Sequence, residues 1–210
     1  MRANPRPTSS RLALIMLALL FGLPPALGWL YITHPEWLPD SHKNKGTLIT
    51  PPRPLTDLDL KDADNTPYDW SKSTGHWTLV SYNQGDCDPT CEQRIHETEQ
   101  IRRAVGGERI RVERLLIQAL PANTEKIQAQ TEQLNGMQML FLETDKQENF
   151  NSLFNVAGII PDSATYLIDP NGMLMMGYTE NNKPKDILKD LEILLKASSN
   201  WTKGVSNGNG

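Results

Sequence analysis

Cys87 and Cys91 are the only two cysteines in the chain, and three residues separate them in the stretch "YNQGDCDPTCEQRIH". Two thiols at this spacing support three kinds of chemistry: a disulfide that staples a loop, a dithiol that exchanges electrons with other thiols, or two ligands for one soft metal ion. A bridge that closes so few residues removes little entropy from the unfolded chain, so stapling is the poorest use of the pair. Asp88 reads as a helix N-cap and Pro89 as the first helical residue. Cys91 then falls in the first turn and Cys87 just before it, close to backbone N–H groups that have no helical partner. That environment favours thiolate, whereas the nearby carboxylates of Asp88 and Glu92 oppose it. Cys87, nearer the open edge of the helix start, is the expected attacking thiol.

The elements around the pair follow from pattern. "HWTLVSYN" is a β-rich run that ends just before the cysteines, and "CEQRIHETEQIRRAV" is helical up to Gly106-Gly107. "LTDLDLKD" looks like a short strand entering a turn, and "RIRVERLLIQAL" like a long one. "NTEKIQAQTEQL" reads as a helix capped by Asn123, "MQMLFLE" as a strand and "KQENFNSLFNV" as a short helix. "ATYLIDPNGMLMMGY" forms a hairpin through Asp169-Pro170-Asn171-Gly172, and a last helix starts near Pro184. The order β-α-β-α-β-α-β-β-α predicts an α/β domain: a central mixed β-sheet flanked by helices, with the cysteines at a strand-to-helix junction as in a thioredoxin-like fold.

The chain ends lie outside that domain. Arg2, Arg6 and Arg11 precede the uncharged apolar run Leu12 to Ile32, about 30 Å long as a helix, with Trp29 and Tyr31 where interfacial aromatics lie. Residues 1–11 are therefore expected on the cytoplasmic side and 12–32 as a transmembrane anchor. A cleaved signal peptide, with Ala26 to Gly28 as processing site and Pro24-Pro25 ending the apolar segment, is the alternative. Residues 33–54 read as an extended tether carrying Pro51, Pro52 and Pro54, 55–197 as the folded domain and 198–210 as a disordered Ser/Asn/Gly-rich tail. Either reading of the N-terminus exports the domain to an oxidising compartment. The net charge of −4 and the mixed-sign 22% of charged residues, without a basic stripe, argue against a nucleic-acid partner.

Three segments, "GTLITPPRPL", "GHWTLVSYNQGDCDPTC" and "ATYLIDPNG", resemble the Sco/SenC family. These are membrane-anchored thioredoxin-fold proteins that help assemble the copper centre of cytochrome c oxidase. The resemblance covers roughly residues 46–197, and the Cys-x-x-x-Cys pair with its central Pro is its most specific part. It implies a bacterial inner-membrane protein with its domain in the periplasm, working on a cytochrome c oxidase subunit or another copper-assembly protein. It also implies copper as the metal and Cys87 and Cys91 as both its ligands and the redox pair. In the family a distant histidine completes the copper site shortly before the Tyr-Leu-Ile-Asp-Pro strand. Here Asp162 stands in that place, and no histidine follows His96. The soft thiolate pair suits Cu(I), whereas Asp162 is a hard oxygen ligand poorly suited to it, so the family's copper site is incomplete here and tight Cu(II) binding is not expected. His96 is expected to face away from the cysteines, His76 to open the far end of their strand, and His34 and His42 to lie in the tether. Met173, Met175 and Met176 are soft donors whose ordinary use is core filling. The resemblance thus implies a factor that handles Cu(I) or acts as a thiol-disulfide reductase on a copper-receiving partner. A general exported thiol-disulfide oxidoreductase without copper is the alternative, and a scaffold with dispensable cysteines a third reading.

Overall fold

The computed structural model describes residues 8–34, 44–123 and 136–199, and the chain divides into two compact units, Met1–His42 and Lys43–Gly210. The first unit holds α1 (Thr8–Thr33), 26 residues and about 39 Å long. Large apolar side chains point outward on all its sides, among them Leu20, Phe21 and Trp29. Its stretch Arg11–Leu30 is long and apolar enough to cross a membrane. The helix runs on through Pro24 and Pro25, where the signal-peptide alternative has the apolar segment end. Prolines are better tolerated in membrane-spanning helices than in soluble ones.

The second unit is built on one six-stranded sheet. Its strands are β1 (Thr47–Pro54), β2 (Trp77–Gln84), β3 (Val112–Ala119), β4 (Met137–Leu142), β5 (Thr165–Ile168) and β6 (Met173–Tyr178). They lie in the order β1-β6-β5-β2-β3-β4. β3 runs parallel to both β2 and β4, whereas β2–β5, β5–β6 and β6–β1 are antiparallel. The helices are α2 (Pro89–Ala104), α3 (Gln147–Phe154) and α4 (Pro184–Ala197). The mixed sheet flanked by helices is the expected thioredoxin-like architecture. The helix expected over "NTEKIQAQTEQL" lies, but for Asn123, outside the described residues.

Central strands alternate two apolar faces, because successive side chains point to opposite sides of a sheet. Val80 and Tyr82 of β2 join Leu115 and Ile117 of β3 and Phe150 and Phe154 of α3 on one face. Trp77 and Leu79 join Ile101 of α2 and Ile187, Leu191 and Leu195 of α4 on the other. Stacking continues the first cluster outward: Tyr82 lies over Phe150 at 4.2 Å between ring centres and Phe150 over Phe154 at 4.3 Å.

Two expectations about the chain before β2 are revised. "LTDLDLKD" is not a strand; Leu58 N–H donates to Leu55 C=O at 2.9 Å, so the chain turns there, and only Lys61 bridges to Phe141. Leu55, Leu58 and Leu60 are buried all the same. The last eight residues of the stretch read as a tether, Thr47–Pro54, are instead the edge strand β1. Proline is compatible with an edge, where the missing N–H faces outward. The chain entering β1 is clamped by the buried carboxylate of Asp190 on α4, which accepts from Lys45 N at 2.7 Å, Gly46 N at 2.9 Å and Tyr178 Oη at 3.3 Å. At Gly46 a Cβ would collide with the Tyr178 ring, so the approach requires glycine. Ser198, counted with the tail from sequence, is buried beyond α4, where its hydroxyl accepts from Trp77 Nε1 at 3.0 Å and Arg111 Nη2 at 2.9 Å.

Candidate redox and metal site

β2, an interior strand, delivers the cysteines to the loop beyond its C-terminal end, and three features shape that loop. Gly85, with φ +78°, turns the chain out of the strand in a conformation that side chains rarely adopt. Asp88 then caps α2, its Oδ1 accepting from Cys91 N at 2.8 Å with Pro89 at the first turn, as the sequence pattern predicts. Behind the loop, the amides of Asn83 and Gln118 bond each other at 2.9 Å, and both donate to Gly85 C=O, at 3.0 and 2.8 Å. This buried pair fixes where β2 ends. A polar residue near the end of each of two apolar strands was the only sequence signal for it.

Cys87 and Cys91 form a disulfide with Cα atoms 5.3 Å apart. Both are buried, with 4% and 1% of their surface exposed. They pack with Ile95, Leu116 and Met139, and with the partly buried Ala122, Met137 and Phe141. The expected exposure difference between the two cysteines is therefore small, and neither sulfur is openly presented. Asp86 Oδ1 accepts from Asn123 N at 3.1 Å, which ties the cysteine loop to the segment after β3.

Asp162 lies in the single turn Pro161–Ser163 ahead of β5, where its Oδ1 accepts from Gln84 N at 2.9 Å. It stands beside the end of β2 that leads into the cysteine loop, and that oxygen is occupied by the backbone. His96 is exposed on α2. His76 precedes β2 at the end away from the cysteines, with Nδ1 3.5 Å from Glu113. His34 belongs to the first unit and His42 lies outside the described residues. Met176 is core of the α4-side cluster and Met175 packs against it, in keeping with their ordinary use. Met139 and Met137, not singled out from sequence, are the thioethers that share the cysteine cluster. Their alternation in "MQMLFLE", on one face of β4, was the available signal. Among the described residues no three His, Cys, Asp or Glu side chains gather as a metal site.

One further side chain reaches this region. Arg94, three residues past Cys91, is buried against β2, where its Nη2 donates to Tyr82 C=O at 3.3 Å. Burial lowers its pKa, while the charges of Asp162, Asp88 and Glu97 pull it back up. Deeper along α2, Glu99 pairs with Arg114 of β3 and, at 2.6 Å, with Arg103. Burial pushes Arg114 down to about 10.

The comparisons agree with this fold. The structure resembles apo Sco1 from Thermus thermophilus (TM-score 0.59, 15% identity, covering 75% of this chain and 100% of that one). It also resembles copper-bound ScoI from Arabidopsis thaliana (TM-score 0.56, 11% identity, 70% and 97%). A thiol:disulfide interchange protein from Bacteroides sp. matches with TM-score 0.50, 13% identity and coverage of 66% and 86%. At these identities the likeness establishes the fold. No curated protein matches the chain. Residues 77–198, more than half of the chain, match a family described as "Transmembrane-like, thioredoxin-like, C-terminal domain". The chain belongs to this family of transmembrane-like, thioredoxin-like C-terminal domains.

Proposed function

We propose that the protein is a membrane-anchored, Sco-like factor whose Cys87/Cys91 pair serves the copper centre of a respiratory oxidase, chiefly as a thiol-disulfide reductant. One observation carries this reading: the pair closes as a disulfide at a capped helix start, while the position of the missing third ligand holds Asp162, one oxygen of which is bonded to Gln84 N. The reduced pair fits Cu(I) as two soft sulfurs, with the Met139 thioether in the same cluster. Asp162 stands in place of the family's histidine with one oxygen held by Gln84 N, so the third ligand of a Cu(II) site is missing in this reading. Copper is in this reading cargo destined for the partner's centre.

The exchange is balanced with a partner disulfide as oxidant. One thiolate of the reduced pair, assigned to Cys87, attacks a partner sulfur, forms a mixed disulfide and expels a partner thiolate. Cys91 then attacks Cys87, closes the bridge and releases the second partner thiolate. Two electrons pass to the partner, whose cysteines are left able to take copper. An external dithiol of the thioredoxin type restores the pair. Because both sulfurs are buried, access to the attacking atom requires the loop to open, and Asp86–Asn123 is the contact to release.

Without copper handling, the same steps describe a general exported oxidoreductase, which the likeness to the Bacteroides interchange protein favours. The test is the reduction potential of the pair in the full-length chain in detergent micelles, equilibrated with glutathione. A value above roughly −250 mV is expected for an exchanging pair, and one below about −300 mV marks an inert bridge and defeats the proposal.

A further inference from the structure

The geometry points to a carboxylate-binding site in the cleft between α2 and the β5–α4 end of the sheet, with Arg94 as its anchoring residue. This cleft, about 400 Å³, is lined by Thr90, Gln93, Arg94, Ser163, Thr165 and Lys183 among others. Its volume is within the range of small-ligand sites. Arg94 is only 8% exposed. Its bond to Tyr82 C=O is the one hydrogen bond it makes among the described residues, and its Nε is buried without a partner. A guanidinium offers five N–H groups in a planar fork and stays protonated in proteins. Burying it costs several kcal/mol unless those groups are met, and a side chain needed only for packing would be aliphatic.

The surrounding charges define what meets it. Asp162, Asp88 and Glu97 all act on Arg94, yet none forms an ion pair with it. One oxygen of Asp88 is committed to Cys91 N and one of Asp162 to Gln84 N, and Glu97 Oε1 accepts from Gln93 at 2.8 Å. Glu180 adds a further negative charge to the lining and Lys183 a positive one. This ring of carboxylates opposes any anion and a dianion such as phosphate most, so a singly charged ligand is favoured over a doubly charged one. A single planar monoanion can be met end-on at the Nη1 side of the guanidinium, the nitrogen that is neither bonded nor buried among the described residues, and hydroxyls of Thr90, Ser163 and Thr165 line the rest. The ligand is therefore a carboxylate, carried either by a small free acid or by an acidic side chain of a polypeptide. Thr90 adjoins Cys91 in sequence, so a polypeptide held here lies along the start of the cysteine helix. This inference is independent of the proposed function, since the bound group touches neither sulfur.

The test uses the full-length chain, labelled with ¹⁵N-arginine, in detergent micelles. The Arg94 Nε–H resonance is identified by its loss in Arg94→Lys. The probes are sodium acetate, the blocked tripeptide acetyl-Gly-Asp-Gly-amide and its Asn counterpart. A saturable shift of that resonance with the Asp peptide but not the Asn peptide is expected for a polypeptide ligand, and one with acetate alone for a free acid. Glu97→Gln should tighten binding several-fold, and Arg94→Lys should weaken it about tenfold through loss of the planar guanidinium, read in the uniformly ¹⁵N-labelled chain from the backbone amides of Thr90 and Gln93. An Arg94 resonance indifferent to all three probes, equal shifts from the Asp and Asn peptides, or weaker binding in Glu97→Gln overturns the inference.

Discussion

Asp162 decides how the cysteine pair is understood, because one carboxylate replaces the ligand that the Sco resemblance leads one to expect. Asp162→His should restore strong Cu(II) binding to the reduced chain, seen as visible thiolate-to-copper charge-transfer absorption absent from the parent; no gain in Cu(II) affinity would mean that the rest of the site is wrongly shaped. Asp88 has a structural role that is separately measurable. Asp88→Ala removes the cap on Cys91 N and should cost about 1 kcal/mol in denaturant unfolding. The same change removes a negative charge beside the thiols and should lower their pKa in the reduced chain. These roles were legible because cap, proline and cysteine spacing are local features of sequence. The burial of both sulfurs was not, since Leu116 and Met139 reach them from strands far along the chain.

At the scale of elements, α2 is unusual in what it buries. Its inward face carries Cys91, Ile95 and Ile101 but also Arg94, Thr98 and Glu99, so its attachment depends on satisfied polar contacts as much as on apolar area. Glu99→Gln should destabilise the domain by roughly 3–5 kcal/mol, measured by urea unfolding, because Arg114 is left charged and buried without its partner. The double replacement Glu99→Leu with Arg114→Met should recover most of that loss. A helix with such a weak apolar stripe was still readable from its cap and its terminating glycines. The edge strand β1 was not, because three prolines in eight residues speak against a strand unless one knows it lies at an edge. Likewise "LTDLDLKD" has the alternation of a strand, but its leucines pack from a turn. Alternation reports which side chains are buried and is silent on hydrogen-bond partners.

For the whole molecule, the outward apolar surface of α1 and the self-contained second unit fit an anchor that holds a working domain at a membrane. The chain is expected to sediment with membranes, resist carbonate extraction and dissolve in detergent; release by carbonate would remove the anchor reading. Acid stability follows from the aspartates whose pKa is lowered. Asp62 is held down first by its bond from the Thr66 hydroxyl, and Asp69 by its bonds from Ser71. Their contribution is fully present above the unfolded carboxylate value, about 3.9, and is lost as pH falls through the lower folded values. Asp62→Asn with Asp69→Asn should therefore flatten the loss of melting temperature below about pH 4. The central claim is that the pair serves a copper centre without a complete copper site of its own, and titration of the fully reduced full-length chain with each copper ion tests it most directly. The account predicts one Cu(I) bound, lost when Cys87 and Cys91 are both changed to Ser, and only weak Cu(II) uptake. Tight, stoichiometric Cu(II) binding with thiolate-to-copper charge-transfer absorption would contradict it.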